Sequence, residues 1–369
     1  MPAWPEGLRS LADALFPGAS VETVEPLAPD ASGAGEKAEG YGLPLRVTVR
    51  TRDGGQRRFV FRTFAANELG HDRRADRLEA AVLAFDLFQR TPGHVRALDV
   101  GVIAPDGTLR SLRDAGEAWL ATEWAEGALY AEDLRRVGRV ARCEPLDLAR
   151  CDALAAYLVR LHAEKLDDPV AWRRALRDLL GHGEGIFGVV DAFPDGVPGA
   201  PPERLLALEA RCLAARWRLR GRPPRLARTH GDFHPFNLVF RPRGPGEDGT
   251  AFTALDASRG GKGDPADDVV ALAVNYPFFA LQHPGSWRRG FGPLWRRFLR
   301  SYLAQAEDPG LLEAAPPFLA WRALVLASPR FYPRLAPAAR DALLRLAERS
   351  LDAGVLDPDA VDAMFSGGP

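Results

Sequence analysis

The sequence predicts an α+β chain in two lobes: a small antiparallel β-sheet lobe with one long helix, then a larger, mostly helical lobe. Three observations predict it. Alternating runs over 20–27, 43–51 and 57–64 read as strands of a half-buried sheet. Residues 73–90 carry apolar side chains at helical spacing. Beyond residue 147 helical periodicity dominates, interrupted by one short hairpin pattern at 238–255. Strands gathered before helices indicate α+β layering rather than alternating βαβ units.

Bulk properties set limits. At 369 residues the chain is long enough for two separate cores. Its net charge of −1 supplies no field that draws it to nucleic acid or anionic lipid, so neither is expected as a partner. Cys143, Cys151 and Cys212 show no paired spacing, which fits a reduced, cytoplasmic protein. The first residues lack a basic segment followed by an apolar run, so no signal peptide is expected. The most apolar stretch, around 319–327, is too short to span a membrane and carries Arg322. Nothing in the chain specifies an oligomeric state.

In order, residues 5–16 read as a short amphipathic helix, and the strands follow. Arg52-Asp53-Gly54-Gly55 is a hairpin turn between the second and third strands. Between the first and second strands, residues 32–42 are rich in glycine. Gly33 and Gly35 there permit backbone N–H groups to approach phosphate, and a plain flexible hairpin loop is the equal alternative. In the long helix, Leu78, Val82, Phe85 and Phe88 predict one buried stripe, and Glu79 is its only glutamate. An apolar strand is expected from 118, ending at Glu123-Trp124-Ala125-Glu126-Gly127.

Helices are then expected over 147–165, 171–181 and 203–220, with a Gly/Pro-rich insertion at 193–202. His162 reads as a packed or capping histidine. After residue 264 further helices are expected over 265–283, 287–306, 316–327 and 337–352. Trp287, Trp295, Trp321, Phe278, Phe279, Phe331 and Tyr332 supply aromatic surface, most of it core.

Between these helical blocks lies Thr229-His230-Gly231-Asp232-Phe233-His234-Pro235-Phe236-Asn237. The apolar runs 238–240 and 251–255 follow, separated by RPRGPGEDGT, a turn signal. Antiparallel pairing of the two runs brings Asn237 and Asp256 to the same open end, with Asp232 in the loop feeding it. Two carboxylates and an amide oxygen form too few ligands for a full cage, and suit Mg²⁺ shared with substrate phosphates.

The spacing His-x-Asp-x-x-x-x-Asn, a strand-borne Asp256, and Gly263-Asp264-Pro265-Ala266-Asp267-Asp268 resemble the catalytic core of the aminoglycoside phosphotransferase family, which shares the protein-kinase-like fold. The resemblance implies Asp232 as catalytic base, Asn237 and Asp256 as Mg²⁺ ligands, and His230 and Asp268 as structural support of the site. It implies a nucleotide-binding lobe over 1–122 and a hinge at 123–127, where the Glu123 carbonyl and the Ala125 N–H meet adenine. The C-terminal lobe, 128–369, then holds the catalytic loop (229–240), the metal-binding segment (254–268) and acceptor-binding helices. Arg62 stands where the family usually carries a lysine that holds the nucleotide phosphates, and Glu79 is its implied partner. Lysine is scarce throughout, with only Lys37, Lys165 and Lys262. Arg keeps the charge but differs in shape. The alternatives are an ordinary surface ion pair for Arg62–Glu79 and a plain strand end for the hinge.

The implied activity is ATP-dependent, Mg²⁺-requiring transfer of the γ-phosphate to a small-molecule hydroxyl, with GTP possible as donor. The alternative is a nucleotide-binding pseudokinase or scaffold on the same fold, motivated by Arg62 and the irregular glycine loop. A third reading takes His230, Asp232 and His234 as metal ligands on a strand, but Pro235 and the scatter of the other histidines oppose it. The acceptor is not legible. Arg288, Arg289, Arg296, Arg297 and Arg300 indicate either a solvated helix face or an acidic or neutral acceptor. Arg259 and Lys262 are either loop charges or groups that reach phosphate.

Overall fold

The structure is a computed structural model that describes residues 5–27, 44–257, 259 and 261–365. The glycine segment with Gly33 and Gly35 therefore lies outside the described residues. The chain divides into two compact units, Met1–Thr122 and Glu123–Pro369.

The N-terminal unit begins with α1 (Pro5–Leu15), followed by β1 (Ser20–Pro26), β2 (Pro44–Arg50) and β3 (Gln56–Arg62). These strands form an antiparallel sheet in the order β1-β2-β3, with Val47 opposite Phe59 and Val24. The turn between β2 and β3 is closed by Gly54 at φ 83° and by the Asp53 carboxylate, which accepts the Gly55 N–H. Val47, Val49 and Phe59 point to one face, and Leu8 and Ala12 of α1 cover it. This small core is built by the first helix.

The long helix α2 (Arg74–Arg90) forms where expected, but it contains no buried residue. Leu78 and Val82 each remain 37% exposed, so the expected buried stripe is corrected. The apolar face of the sheet is covered by α1, and no residue of α2 joins that core. The remaining strands, β4 (Gly101–Ile103) and β5 (Leu109–Ser111), pair only with each other. The apolar strand expected from 118 is absent. Among the described residues no sheet takes up this run, and Trp119 and Leu120 are 87% and 88% exposed. Alternating or apolar character makes a strand only where a neighbour offers backbone partners.

The C-terminal unit opens with β6 (Ala128–Leu129), α3 (Tyr130–Val140), α4 (Pro145–His162), α5 (Pro169–Gly181), α6 (Ile186–Asp191) and α7 (Pro202–Arg220). Then come β7 (Ala227–Arg228), β8 (Leu238–Phe240), β9 (Phe252–Ala254) and β10 (Lys262–Gly263). It ends with α8 (Pro265–Ala273), α9 (Asn275–Gln282), α10 (Gly292–Ala306), α11 (Leu311–Ala327) and α12 (Pro337–Ala353). Helix α4 packs along α10, and α11 packs against both α8 and α12. Their contact faces supply one core containing Trp172, Trp295, Phe298 and Tyr302, each 1% exposed or less. Burying each such side chain contributes about 1.5–3 kcal/mol.

Prolines explain where helix boundaries depart from expectation. A single helix over 265–283 is replaced by α8 and α9, because Pro277 has no N–H for the Ala273 carbonyl four residues before it. Residues 287–306 open as a wide π-turn at Trp287–Phe291 before α10. Pro293 cannot serve the Arg289 carbonyl, which accepts the Cys143 N–H instead (3.0 Å). Helix α11 begins at Leu311, earlier than expected, and carries Pro316 and Pro317 within it. The Leu312 carbonyl that Pro316 leaves free accepts the Leu356 N–H at 2.9 Å. Arg297 of α10 pairs with Asp152 and Arg296 with Asp362, while Arg288, Arg289 and Arg300 are exposed, so the arginine run is a solvated helix surface.

Candidate active site

Strand β8 is central in a three-stranded sheet ordered β6-β8-β9. Its close pairing with β6 needs a glycine at 127: a Cβ there would lie 2.1 Å from the Phe240 carbonyl oxygen. The hairpin register sets Leu238 opposite Ala254, and the Leu255 N–H donates to the Asn237 carbonyl at 2.8 Å. Asn237 and Asp256 thus flank the last bond of the ladder. Asp256 adopts a left-handed backbone, φ 56°, which Asp tolerates better than bulkier residues. Its carboxylate is exposed and makes no hydrogen bond among the described residues.

The segment 229–237 is held from below by α8. Asp268, fully buried, accepts the His230 N–H at 2.6 Å on Oδ2 and the Gly231 N–H at 2.7 Å on Oδ1. His162 at the end of α4 stands between the Asp268 carboxylate (3.1 Å) and the Tyr302 hydroxyl (2.7 Å). Burial opposes ionisation of Asp268, but the His162 contact and the two backbone donors outweigh it and lower its pKa. Asp264 caps α8 through the Ala266 N–H and is gripped by both ends of the Arg225 guanidinium (2.7 and 2.8 Å). Gly231 sits at φ 84°, where a side chain is strained, and a Cβ would come within 3.0 Å of the Arg259 side chain.

This scaffold presents Asp232, which is 8% exposed. Its Oδ1 accepts Arg322 Nη1 at 2.6 Å and lies 3.7 Å from Arg259 Nε. Its Oδ2 lies 3.4 Å from His234 Nε2 and 3.4 Å from Asn237 Nδ2. Burial would raise the pKa, but the His234 contact and the charges of Arg322 and Arg259 hold the carboxyl well below the usual range. Asn237 Nδ2 also donates to the Asp232 carbonyl at 3.0 Å, which turns the amide oxygen away from Asp232. His230 Nδ1 accepts the Asp232 N–H at 3.3 Å, and burial lowers its pKa, so the ring is neutral and packs edge-on to Phe233.

The oxygens of Asn237 and Asp256, bearing no hydrogen bond among the described residues, are the hard donors Mg²⁺ prefers. No group of three or more His, Cys, Asp or Glu side chains gathers as a metal site among the described residues. The histidine-built metal site has no counterpart: His230 and His234 each spend Nδ1 on a backbone N–H two residues on.

In the N-terminal unit Arg62 ends β3, and its guanidinium lies 5.3 Å from the Phe64 ring centroid. Among the described residues it forms no ion pair with Glu79 of α2. Glu79 faces solvent in a helix with no buried side. Glu123 is exposed and Ala125 half-buried, in extended chain just before β6. Lys262 pairs with Asp168 at 2.9 Å, and Arg259 pairs with Glu184 at 2.9 Å beside the catalytic segment.

Arg322 was visible in the sequence only as a charge interrupting an apolar helix. It is 6% exposed, and besides Asp232 its Nη2 donates to the Gly231 carbonyl (2.8 Å) and Asp267 (2.8 Å). Its guanidinium lies over the Trp321 ring, 3.9 Å from the centroid.

No family model matches the chain, and no curated protein matches it. Among solved structures it is similar to a glucosamine kinase, at 17% identity over 96% of this chain and 99% of that one, TM-score 0.43. It is similar to an aminoglycoside-3'-phosphotransferase of type VIII, at 21% identity over 88% and 99%, TM-score 0.34. It is also similar to the choline kinase LicA from Streptococcus pneumoniae, at 13% identity over 94% and 98%, TM-score 0.35. No helix among the described residues is long and apolar enough to cross a membrane.

Proposed function

We propose that the chain is a phosphotransferase that moves the γ-phosphate of ATP, or of GTP, to a hydroxyl of a small molecule, with Mg²⁺ as cofactor. The observation that carries this reading is Asp232: a buried carboxylate kept ionised by its surroundings, one loop away from the oxygens of Asn237 and Asp256. Asp232 orients the acceptor hydroxyl and takes its proton. Asn237 and Asp256 would hold Mg²⁺, which when bound neutralises the charge developing on the transferred phosphoryl group. Asp268 and His230 keep the loop backbone in place, so that the base does not drift. The N-terminal unit is read as the nucleotide-binding part, with Gly33, Gly35, Arg62 and Glu79, followed by Glu123 and Ala125 at the adenine. The three free cysteines of the chain fit a cytoplasmic enzyme.

The pseudokinase alternative is motivated by Arg62, where the family usually carries a lysine, and by the irregular glycine loop. The two readings separate in a panel of sugars, amino alcohols, aminoglycosides, macrolides and nucleosides scored for ADP release from Mg·ATP. An enzyme gives acceptor-dependent ADP that falls about 10²–10⁴-fold in Asp232→Asn, the range for a lost general base. A panel with no acceptor-dependent or Mg²⁺-dependent ADP release, from protein that binds ATP, identifies the scaffold.

A further inference from the structure

The base of this site is gripped from one side only. Oδ1 of Asp232 forms the short, charge-assisted bond to Arg322, whereas the two contacts to Oδ2, both 3.4 Å, are too long to be strong. Arg322 itself cannot turn. It rises from α11, and its two terminal nitrogens are shared among Asp232, the Gly231 carbonyl and Asp267 of α8, with the Trp321 ring against its face. Its buried Nε has no partner. An arginine this deep carries a large desolvation cost, and a purely structural position on α11 is filled more cheaply by an apolar residue.

We infer that Arg322 is the positioning residue of the base: it commits Oδ1 of Asp232, and thereby presents Oδ2 as the oxygen that takes the proton from the acceptor hydroxyl. The inference rests on the reading of Asp232 as the base. The proton moves from the hydroxyl oxygen to Oδ2 as that oxygen bonds to phosphorus and the bond to the ADP leaving oxygen breaks. Arg322 gains and loses nothing. It acts by geometry.

The other titratable and charged groups facing Asp232 are Arg259, His234, His230 and Tyr332, with Asp267 on the far side of Arg322. Of these only Arg322 makes a short bond to the carboxylate.

The experiment follows ADP release from Mg·ATP, without added acceptor, across pH 4–9 in the full chain, together with the thermal midpoint of each variant. Arg322→Ala is expected to lower kcat by about 10²-fold at near-constant KM for ATP, as expected for a misplaced reacting group. Added guanidinium ion is expected to restore part of that loss. Arg322→Lys keeps the charge but cannot serve three acceptors from one nitrogen, and serves as the better-folding variant. It is expected to lose about 10-fold in kcat, the equivalent of one charge-assisted bond.

A structural role alone predicts the opposite pattern: lower midpoints and no guanidinium rescue. That result, in either variant, overturns the inference. The underlying reading fails separately, if wild type shows no Mg²⁺-dependent ADP release with any acceptor of the panel or if Asp232→Asn leaves it intact.

Discussion

Asp268→Ala tests whether α8 holds the catalytic segment in place. The carboxylate is fully buried and accepts the backbone N–H groups of His230 and Gly231, while His162 meets it from α4. Alanine strands both amides. Each buried, unsatisfied donor costs about 1–3 kcal/mol, giving ~2–6 kcal/mol for the pair. Against total stabilities of about 5–15 kcal/mol this is a large fraction. For a unit of this size 1 kcal/mol moves the midpoint by about 2–4 °C, so a fall of roughly 4–24 °C is expected. Trp172 and Trp295, buried in the C-terminal unit, report the transition by fluorescence. Asp268→Asn keeps one acceptor oxygen and falls between wild type and alanine. A midpoint for Asp268→Ala within about 2 °C of wild type refutes the reasoning, because no arrangement of two orphaned buried amides is that cheap.

Two further outcomes follow from the same loop. Gly231→Ala places a side chain at φ 84° and a Cβ 3.0 Å from Arg259, so it is expected to destabilise by about 1–3 kcal/mol in urea unfolding. Gly221→Ala has open space around it and is expected to change little. Burial pushes Asp267 up to about 6, with Arg322 pulling it down and Asp268 adding to the rise, since one guanidinium serves two carboxylates. Its protonation therefore favours the folded state: that contribution is complete below about pH 4, the unfolded value, and is lost as pH rises through about 6. Stability measured against pH is expected to be flatter between those limits in Asp267→Asn, and an unchanged slope contradicts the assignment.

Local chemistry was the legible part of the chain. Strands β1 to β3, the helices α4, α5, α7 and α12 to within a few residues, and the hairpin that sets Asn237 beside Asp256 all follow from periodicity and turn residues. Each depends on neighbours close in sequence. What was missed depends on distant ones. The stripe on α2 is correct as a pattern, yet α1 covers the sheet face and no residue of α2 joins that core. The apolar run from 118 finds no strand to pair with among the described residues. Helix breaks at Pro277 and Pro293, and the tolerance of Pro316, turn on whether another element collects the freed carbonyl. Arg322 contacts Asp232 across 90 positions, and no spacing rule reaches that far. A signal was present nonetheless: a lone guanidinium inside the apolar run 318–327 must be paired when buried, and the carboxylates of 264–268 and 232 were the available partners.

The most direct test of the central claim is binding of Mn²⁺·ATP, with Mn²⁺ replacing Mg²⁺ as a paramagnetic probe, followed by electron paramagnetic resonance. Wild type and Asp232→Asn are expected to take up the complex alike, because the base holds the acceptor and not the ion. Asp256→Ala and Asn237→Ala, folded as judged by their thermal midpoints, are expected to lose the protein-bound signal. Uptake undiminished in both of those variants contradicts the claim that these two side chains hold the metal beside the nucleotide.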